Sequence, residues 1–250
     1  TTKFEALVDG TNGNTVLKPV TARLGNTPFT TSGAIIRHED VGKRAIELTV
    51  HMRDGDLRDI LRLAMKKAPF MQGAFGLDAK IAVPPLSGKV REKLLLNGNF
   101  TIVKGMFRND AVQDKVDELS RRGQGEPTNA AIDDVAYNMR GRFDMRGEVM
   151  RLTDISFRVP GAAVRLNGTY DLGADNVDFH GELRLDAKVS QTMTGWKRWA
   201  AIPLNPLFAK DGAGTLLKIQ ISGNAGHPVI GKDKGDEKHA PGGELRDPAR

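Results

Sequence analysis

One stretch of this chain has the residue spacing of a nucleotide-binding motif. Residues 226–232 read Gly-His-Pro-Val-Ile-Gly-Lys, which follows a phosphate-binding loop as far as its lysine. Asp233 then occupies the position that needs a Ser or Thr for magnesium, Pro228 stiffens a loop that must wrap phosphate, and no helix pattern follows. The stretch is therefore predicted to be a turn that leaves the last strand.

The other reactive side chains do not form a recognisable catalytic or metal-binding group. The five histidines, at positions 38, 51, 180, 227 and 239, include no pair at i, i+4 spacing, and none neighbours a convincing cluster of Asp, Glu and His residues. The chain has no cysteine, which excludes disulfides and thiolate chemistry, and no Gly-x-Ser-x-Gly motif. We therefore expect no catalytic residue, no metal and no cofactor.

Arginines in the middle of the chain are the main candidates for charge recognition: Arg140, Arg142, Arg146, Arg151, Arg158 and Arg165. The formal net charge of +6 favours anionic partners such as phospholipid head groups or nucleic acid. Aspartates recur among the arginines, at positions 134, 144, 154 and 171, so cross-strand pairing on a solvated face is the favoured interpretation and head-group binding the alternative. Aromatic residues do not interleave with the arginines, which argues against nucleic acid.

The arginines lie on predicted strands. Residues 132–190 keep an almost unbroken two-residue alternation of apolar and charged side chains, and the alternation changes phase at turns such as Gly147 and Pro160-Gly161. This pattern predicts four consecutive antiparallel strands of about 11 to 13 residues, against a usual ~5–6.

Weaker versions of the same pattern predict further strands, at residues 4–8, 29–36, 45–52, 71–83, 94–102, 106–107 and 216–222. The apolar spacing becomes helical at residues 57–64 and 110–122. The count is about ten strands with two or three short amphipathic helices. We therefore predict a mainly β fold, a long antiparallel meander that curls into a groove or taco-like half-barrel.

So few helices cannot cover the apolar face of such a sheet. The face must either pack on itself as a filled core or hold a guest, for which a lipid acyl chain is physically suited; periodicity leaves both open. The candidate lipid-binding residues, which are otherwise simply core, are Phe143, Met145, Phe157, Val164, Leu166, Tyr170, Phe179, Leu183 and Leu185. Residues 1–231 are expected to form one domain, and residues 232–250 a disordered polar tail.

A short segment after the long meander holds both tryptophans of an otherwise aromatic-poor chain. Trp196 and Trp199 flank two cations, Lys197 and Arg198. Tryptophan at head-group depth beside cations is typical of a membrane-contact segment. The alternative is a plug that packs into the end of the groove.

Several stretches together carry a resemblance to a known family. The main one is residues 156–172, SFRVPGAAVRLNGTYDL, and the others are residues 115–125, 188–192, 195–197, 210–215 and 221–223. In combination they resemble the AsmA-like C-terminal region of bacterial envelope proteins, over residues 81–231. No single piece would be specific.

The resemblance implies a function that spacing alone does not. AsmA-like proteins are similar to bridge-like lipid-transfer proteins, which have a taco-shaped β-sheet with a hydrophobic groove. They are anchored in the inner membrane, face the periplasm and support outer-membrane assembly. The family offers no catalytic residues. We therefore expect a non-enzymatic periplasmic protein, tethered to the inner membrane by a segment absent from this chain, whose groove binds or conducts acyl lipids between the membranes.

The expected partners are phospholipid or another acyl lipid, the bacterial membrane surface and other envelope proteins, with no nucleic acid. The alternative expectation is a structural or assembly module that fills its own β core and acts on a partner envelope protein.

Overall fold

A computed structural model describes residues 6–9, 13–38, 42–64, 68–186 and 216–233. Within these ranges the chain forms one antiparallel sheet in which all twelve strands are arranged in sequence order. The first six strands are β1 (Ala6–Asp9), β2 (Asn14–Leu24), β3 (Thr27–His38), β4 (Lys43–Asp56), β5 (Met71–Val83) and β6 (Leu95–Phe107). The other six are β7 (Tyr137–Arg146), β8 (Val149–Val159), β9 (Ala162–Asp171), β10 (Asn176–Leu185), β11 (Leu216–Asn224) and β12 (Val229–Lys232).

The predicted mainly β meander is confirmed. In the described ranges β1 and β12 are not paired with each other, so the sheet is open and not a closed barrel. Helices α1 (Leu57–Ala64), α2 (Val90–Lys93) and α3 (Asp110–Gly123) lie in the connections after β4, β5 and β6. Strands β7 to β10 correspond to the four predicted from alternation but are shorter, at 10 or 11 residues each. The first begins at Tyr137 and not at residue 132, and residues 187–190 lie outside the described residues.

Three local predictions were wrong. Strand β2 was missed, because a register irregularity between Leu17 and Val20 breaks its alternation. Residues 106–107 are not a separate strand: β6 continues to Phe107 through a bulge in which Lys104 has a φ of 52°. Strand β12 forms where only turns were expected, and it ends one residue beyond the predicted domain boundary.

Helices α1 and α3 lie at the same end of the sheet, because alternate connections of an antiparallel meander return to one end. We call this the helix end, and the opposite end, which carries the β5–β6, β7–β8, β9–β10 and β11–β12 connections, the loop end. Asp59 of α1 accepts hydrogen bonds from Asn26 N (2.9 Å) and Thr27 Oγ1 (3.0 Å), which fixes this helix to the β2–β3 turn.

Helix α3 lies over the apolar face of the sheet near β6, β8 and β9. Its N-cap Asn109 accepts a hydrogen bond from Val112 N (3.3 Å). At its other end Gly123 packs directly on the β8–β9 turn, where a Cβ would lie 2.2 Å from Gly161 O. The helix therefore spans several strands and covers the helix end of the sheet.

The sheet is strongly curled. Asn109 Nδ2, at the helix end, donates a hydrogen bond to Gly226 O (3.3 Å) in the β11–β12 turn of the loop end, although β6 and β11 are five strands apart, about 24 Å in a flat sheet. Glycines in the strands permit the bend: a Cβ at Gly98 or Gly168 would lie 2.1 Å from the backbone oxygen of a neighbouring strand. The apolar face is therefore concave and the charged face convex.

The buried core gathers at the helix end. Leu57 of α1 and Val116 of α3 pack among inward side chains from β4 to β11. The inward members of this core are Met52, Phe75, Phe100, Ile102, Tyr137, Ile155, Phe157, Val159, Ala162, Val164, Leu166, Leu183, Leu185, Leu217 and Ile219. One half of the concave face is therefore filled by the protein itself.

Candidate functional site

A continuous row of directly opposed residues runs across the strands on the concave face, near the loop end. Each member is the cross-strand partner of the next, from β2 to β11. The members of this open row are Leu17, Gly33, Leu48, Ile81, Leu96, Met145, Met150, Tyr170, Val177 and Gly223. Met145 is buried and the other members are partly or fully exposed, so the row is an accessible apolar surface.

A second row lies beside the open row on the side of the helix end. It is equally continuous and consists of Val20, Thr31, Val50, Ala79, Gly98, Phe143, Leu152, Gly168, Phe179 and Ile221, followed by Ile230 of β12. Val20, Val50 and Ala79 are buried. Thr31 is the one polar side chain in the two rows apart from the Tyr170 hydroxyl, and neither row carries a charge. Together the rows form an apolar trough.

The nine predicted lipid-binding residues all lie on the concave face, but in two different environments. Five belong to the filled core at the helix end: Phe157, Val164, Leu166, Leu183 and Leu185. The other four, Phe143, Met145, Tyr170 and Phe179, lie in the two rows of the trough. In this second group Phe143, Tyr170 and Phe179 are partly exposed, although Phe143 and Phe179 also pack against the core, and Met145 is buried.

Polar groups line the edge of the trough at the loop end of the sheet. Arg37 and Arg44 oppose each other across β3 and β4 and are exposed. Further along, the Tyr170 hydroxyl donates a hydrogen bond to Asp175 Oδ1 (2.9 Å). Burial, and then Asp175 itself, raise the pKa of Tyr170, so the phenol stays neutral. Such a rim suits a ligand with an apolar body and a polar head.

The arginine series lies on the convex face and is exposed. The predicted cross-strand pairing is confirmed for Arg142, which contacts Asp154; Arg146 lies 3.4 Å from Asp144 on its own strand. Exposed pairs of this kind contribute little to stability. The arginines therefore do not converge on the trough.

No group in the described residues has the geometry of a metal centre. These residues contain no cluster of three or more His, Asp or Glu side chains that could hold a metal ion. His51 Nδ1 lies 2.8 Å from Asp78 Oδ1 on the convex face, and the hydrogen bond to His51 lowers the pKa of Asp78. This is a hydrogen-bonded pair on a solvated surface.

Two buried polar side chains, Tyr137 and Asp117, have a structural role. The Tyr137 ring packs between Phe107 and Phe157, at centroid distances of 5.0 and 4.9 Å, and burial raises the pKa of its phenol. Asp117 Oδ1 accepts hydrogen bonds from Gln113 Nε2 and Val135 N, both at 2.8 Å, and desolvation raises the pKa of this carboxyl. Asp117 thereby holds the loop before β7 against α3.

Two other sequence predictions concern regions outside the trough. Trp196, Lys197, Arg198 and Trp199 lie outside the described residues. The stretch that resembles a phosphate-binding loop begins as the predicted turn, but its last four residues form β12. No helix in the described ranges is long and apolar enough to cross a membrane.

Sequence reasoning missed the N-terminal half of the open row. Leu17, Leu48, Ile81 and Leu96 lie on strands β2, β4, β5 and β6. The alternation of β4 to β6 was recognised. The phase of that alternation, which tells which residues face inward, could have identified Leu48, Ile81 and Leu96. What the sequence did not show is that the helices cover the other end of these strands.

Comparisons with known proteins add no relative: no family model, curated protein or solved structure matches the chain. The functional interpretation therefore rests on the trough and on the motifs in the sequence.

Proposed function

We propose that this chain is a non-enzymatic, AsmA-like periplasmic protein whose trough binds lipid acyl chains and passes them between the inner and outer membranes. The observation that carries the proposal is the open row, an uncharged and accessible series of opposed residues on ten strands. A protein that shields hydrocarbon needs such a surface and needs no reactive group.

The dimensions of the row support an acyl ligand. Nine strand-to-strand steps of ~4.8 Å make a path of about 43 Å. One leaflet of a bilayer contributes about half of the ~30 Å hydrocarbon core, so a complete acyl chain fits along the row across the strands. The path is long enough for a chain to move without leaving the apolar surface.

The composition of the row supports movement as well as binding. Each methylene of the ligand that is removed from water contributes about 0.8 kcal/mol to the free energy of binding, whichever member of the row it contacts. Gly33 and Gly223 interrupt the larger side chains and leave low points in the lining. A chain that shifts along the row exchanges one apolar contact for a similar one, so sliding meets small barriers.

Native mass spectrometry after gentle purification from a bacterial envelope fraction tests the proposal. We expect the folded protein to retain mass increments of phospholipid or fatty acid, and an acyl chain with a photoreactive terminus to crosslink to Leu48, Ile81 or Leu96. A folded protein that carries no lipid, and that gives no crosslink with added phospholipid, would refute the proposal.

The filled core at the helix end supports a second candidate, a structural or assembly module that acts on a partner envelope protein. That candidate predicts a trough that stays empty in the lipid experiment, together with specific capture of one envelope protein. Lipid occupancy therefore separates the two.

A further inference from the structure

We propose that the connection between β5 and β6 docks the loop end of the trough onto an anionic membrane surface. This connection, residues 84–94, includes α2 and is called the rim loop below. The inference rests on the proposed lipid-binding function and adds the site at which lipid enters or leaves. No part of it depends on the tryptophan segment.

The rim loop stands beside the trough, on the side that faces the loop end of the sheet. It begins directly after Val83 and ends at Leu94, two residues before Leu96 of the open row. The last residue of the loop is hydrogen-bonded to the β7–β8 turn, because Gly147 N donates to Leu94 O (3.1 Å). A surface that touches this loop is therefore adjacent to the apolar path.

The loop presents apolar side chains to solvent. Leu86 is 60% exposed and Val90 57% exposed. Single exposed apolar residues are ordinary. Two of them in one short loop beside an apolar trough form a surface that can insert into the head-group layer of a bilayer.

Cations accompany the apolar side chains. The loop contains Lys89, Arg91 and Lys93 against one acidic residue, Glu92. Lys43 of β4 adds a further amine, because its Nζ donates to Ser87 Oγ. This combination of exposed apolar groups and excess positive charge is complementary to anionic phospholipid.

Local hydrogen bonds hold the loop in place. Lys93 Nζ donates to Leu86 O (2.6 Å), and Glu92 N donates to Lys89 O (3.1 Å). A loop that is already ordered loses little conformational entropy when it binds. Leu86 and Val90 are therefore displayed before contact with the membrane, not only after it.

Co-flotation of the full chain with vesicles tests the inference. The wild type should partition onto vesicles of phosphatidylglycerol mixed with phosphatidylcholine, and weakly onto phosphatidylcholine alone. The double variant Leu86→Ser/Val90→Ser should lower the partition coefficient about tenfold or more, from the loss of apolar insertion. Lys89→Gln should lower it about fivefold, and only on the anionic vesicles.

The matched control is Val103→Ser/Leu216→Ser, which removes one valine and one leucine that are similarly exposed but lie at the helix end. Its partition should equal that of the wild type. The inference is overturned if the wild type does not bind the anionic vesicles, if the rim-loop variant binds as the wild type does, or if both double variants lose binding equally.

Native mass spectrometry of the same proteins keeps the two proposals distinguishable. Retained lipid in a protein that does not bind vesicles refutes docking and leaves the acyl-binding trough standing. Vesicle binding that depends on the rim loop, in a protein that never holds a lipid, supports the docking surface and refutes the trough.

Discussion

A carboxylate in the middle of the open row should abolish lipid binding without unfolding the protein. Leu48 on β4 is the best position, because it is partly exposed and is opposed by Gly33 and Ile81, neither of which offers a charge. In the empty trough of a Leu48→Asp variant the carboxylate remains hydrated. Lost apolar burial should lower the free energy of unfolding by about 1–2 kcal/mol.

An acyl chain that covers residue 48 must remove water from the new carboxylate. Desolvating an unpaired ion costs several kcal/mol even after relaxation. A loss of about 3 kcal/mol corresponds to about 100-fold weaker binding. Titration with a fluorescent fatty acid, and displacement by phospholipid, should measure this loss.

The control is Thr49→Asp, one residue further along the same strand. Thr49 faces the convex side, where it is opposed by Ser32 and Lys80, so its carboxylate stays in water and lipid affinity should not change. Circular dichroism and thermal melting verify that both variants fold. If Leu48→Asp folds and binds lipid as the wild type does, the open row is not the binding surface.

Two further predictions concern the fold itself. Gly168→Ala should lower the thermal midpoint by several degrees, since its Cβ would lie 2.1 Å from Asp178 O and must displace backbone, whereas Gly231→Ala, with no atom within 4 Å, should melt as the wild type does. His180 Nδ1 lies 3.1 Å from Asp233 Oδ2, and this contact, with Asp178 adding to it, raises the pKa of the imidazole. A histidine whose pKa is raised in the folded state contributes stability that is complete below the unfolded-state pKa of about 6.5 and is lost as pH rises through the folded-state pKa. Protection of the β12 amides against hydrogen exchange should therefore fall over that pH range. The variant His180→Gln should remove this pH dependence.

Each of these two predictions has an outcome that contradicts it. An unchanged midpoint for Gly168→Ala would mean that the close approach of β9 and β10 is not needed for the curl. Nuclear magnetic resonance titration of His180 reports its pKa directly, and a value at or below that of a free histidine would remove the basis of the pH effect. The effect is small in either case, because exposed ion pairs contribute ~0.2–1 kcal/mol.

Local pattern was sufficient to place most strands. In β7 to β10 inward residues alternate with outward ones except at the irregularities between Arg140 and Arg142 and between Leu152 and Ile155, and the predicted strands overlap the observed ones. The pattern failed at β2, where Lys18 and Pro19 sit at the irregularity between Leu17 and Val20 and shift the phase. Alternation reports only regular pairing, so bulges are invisible to it.

The environment of each inward residue could not be predicted in the same way. Phe157 and Phe143 both alternate inward with polar neighbours, yet Phe157 is buried within the filled core, whereas Phe143 lies at the edge of that core and is partly exposed in the trough. The difference depends on which end of the strand each residue occupies. That distinction is meaningful only once the helices have been placed at one end.

By itself, the sequence determined the strands, the apolar and charged faces, and the absence of cysteine chemistry, because these depend on residue type and on a period of two. The tertiary structure decided that one half of the apolar face is filled and the other accessible. That division comes from contacts between distant residues: Gly123 packs on Gly161 and holds α3 across the helix end, and Asn109 bonds Gly226 and so brings the β11–β12 turn of the loop end to the start of α3. Contacts of this kind join strands far apart in the chain, and no local period encodes them.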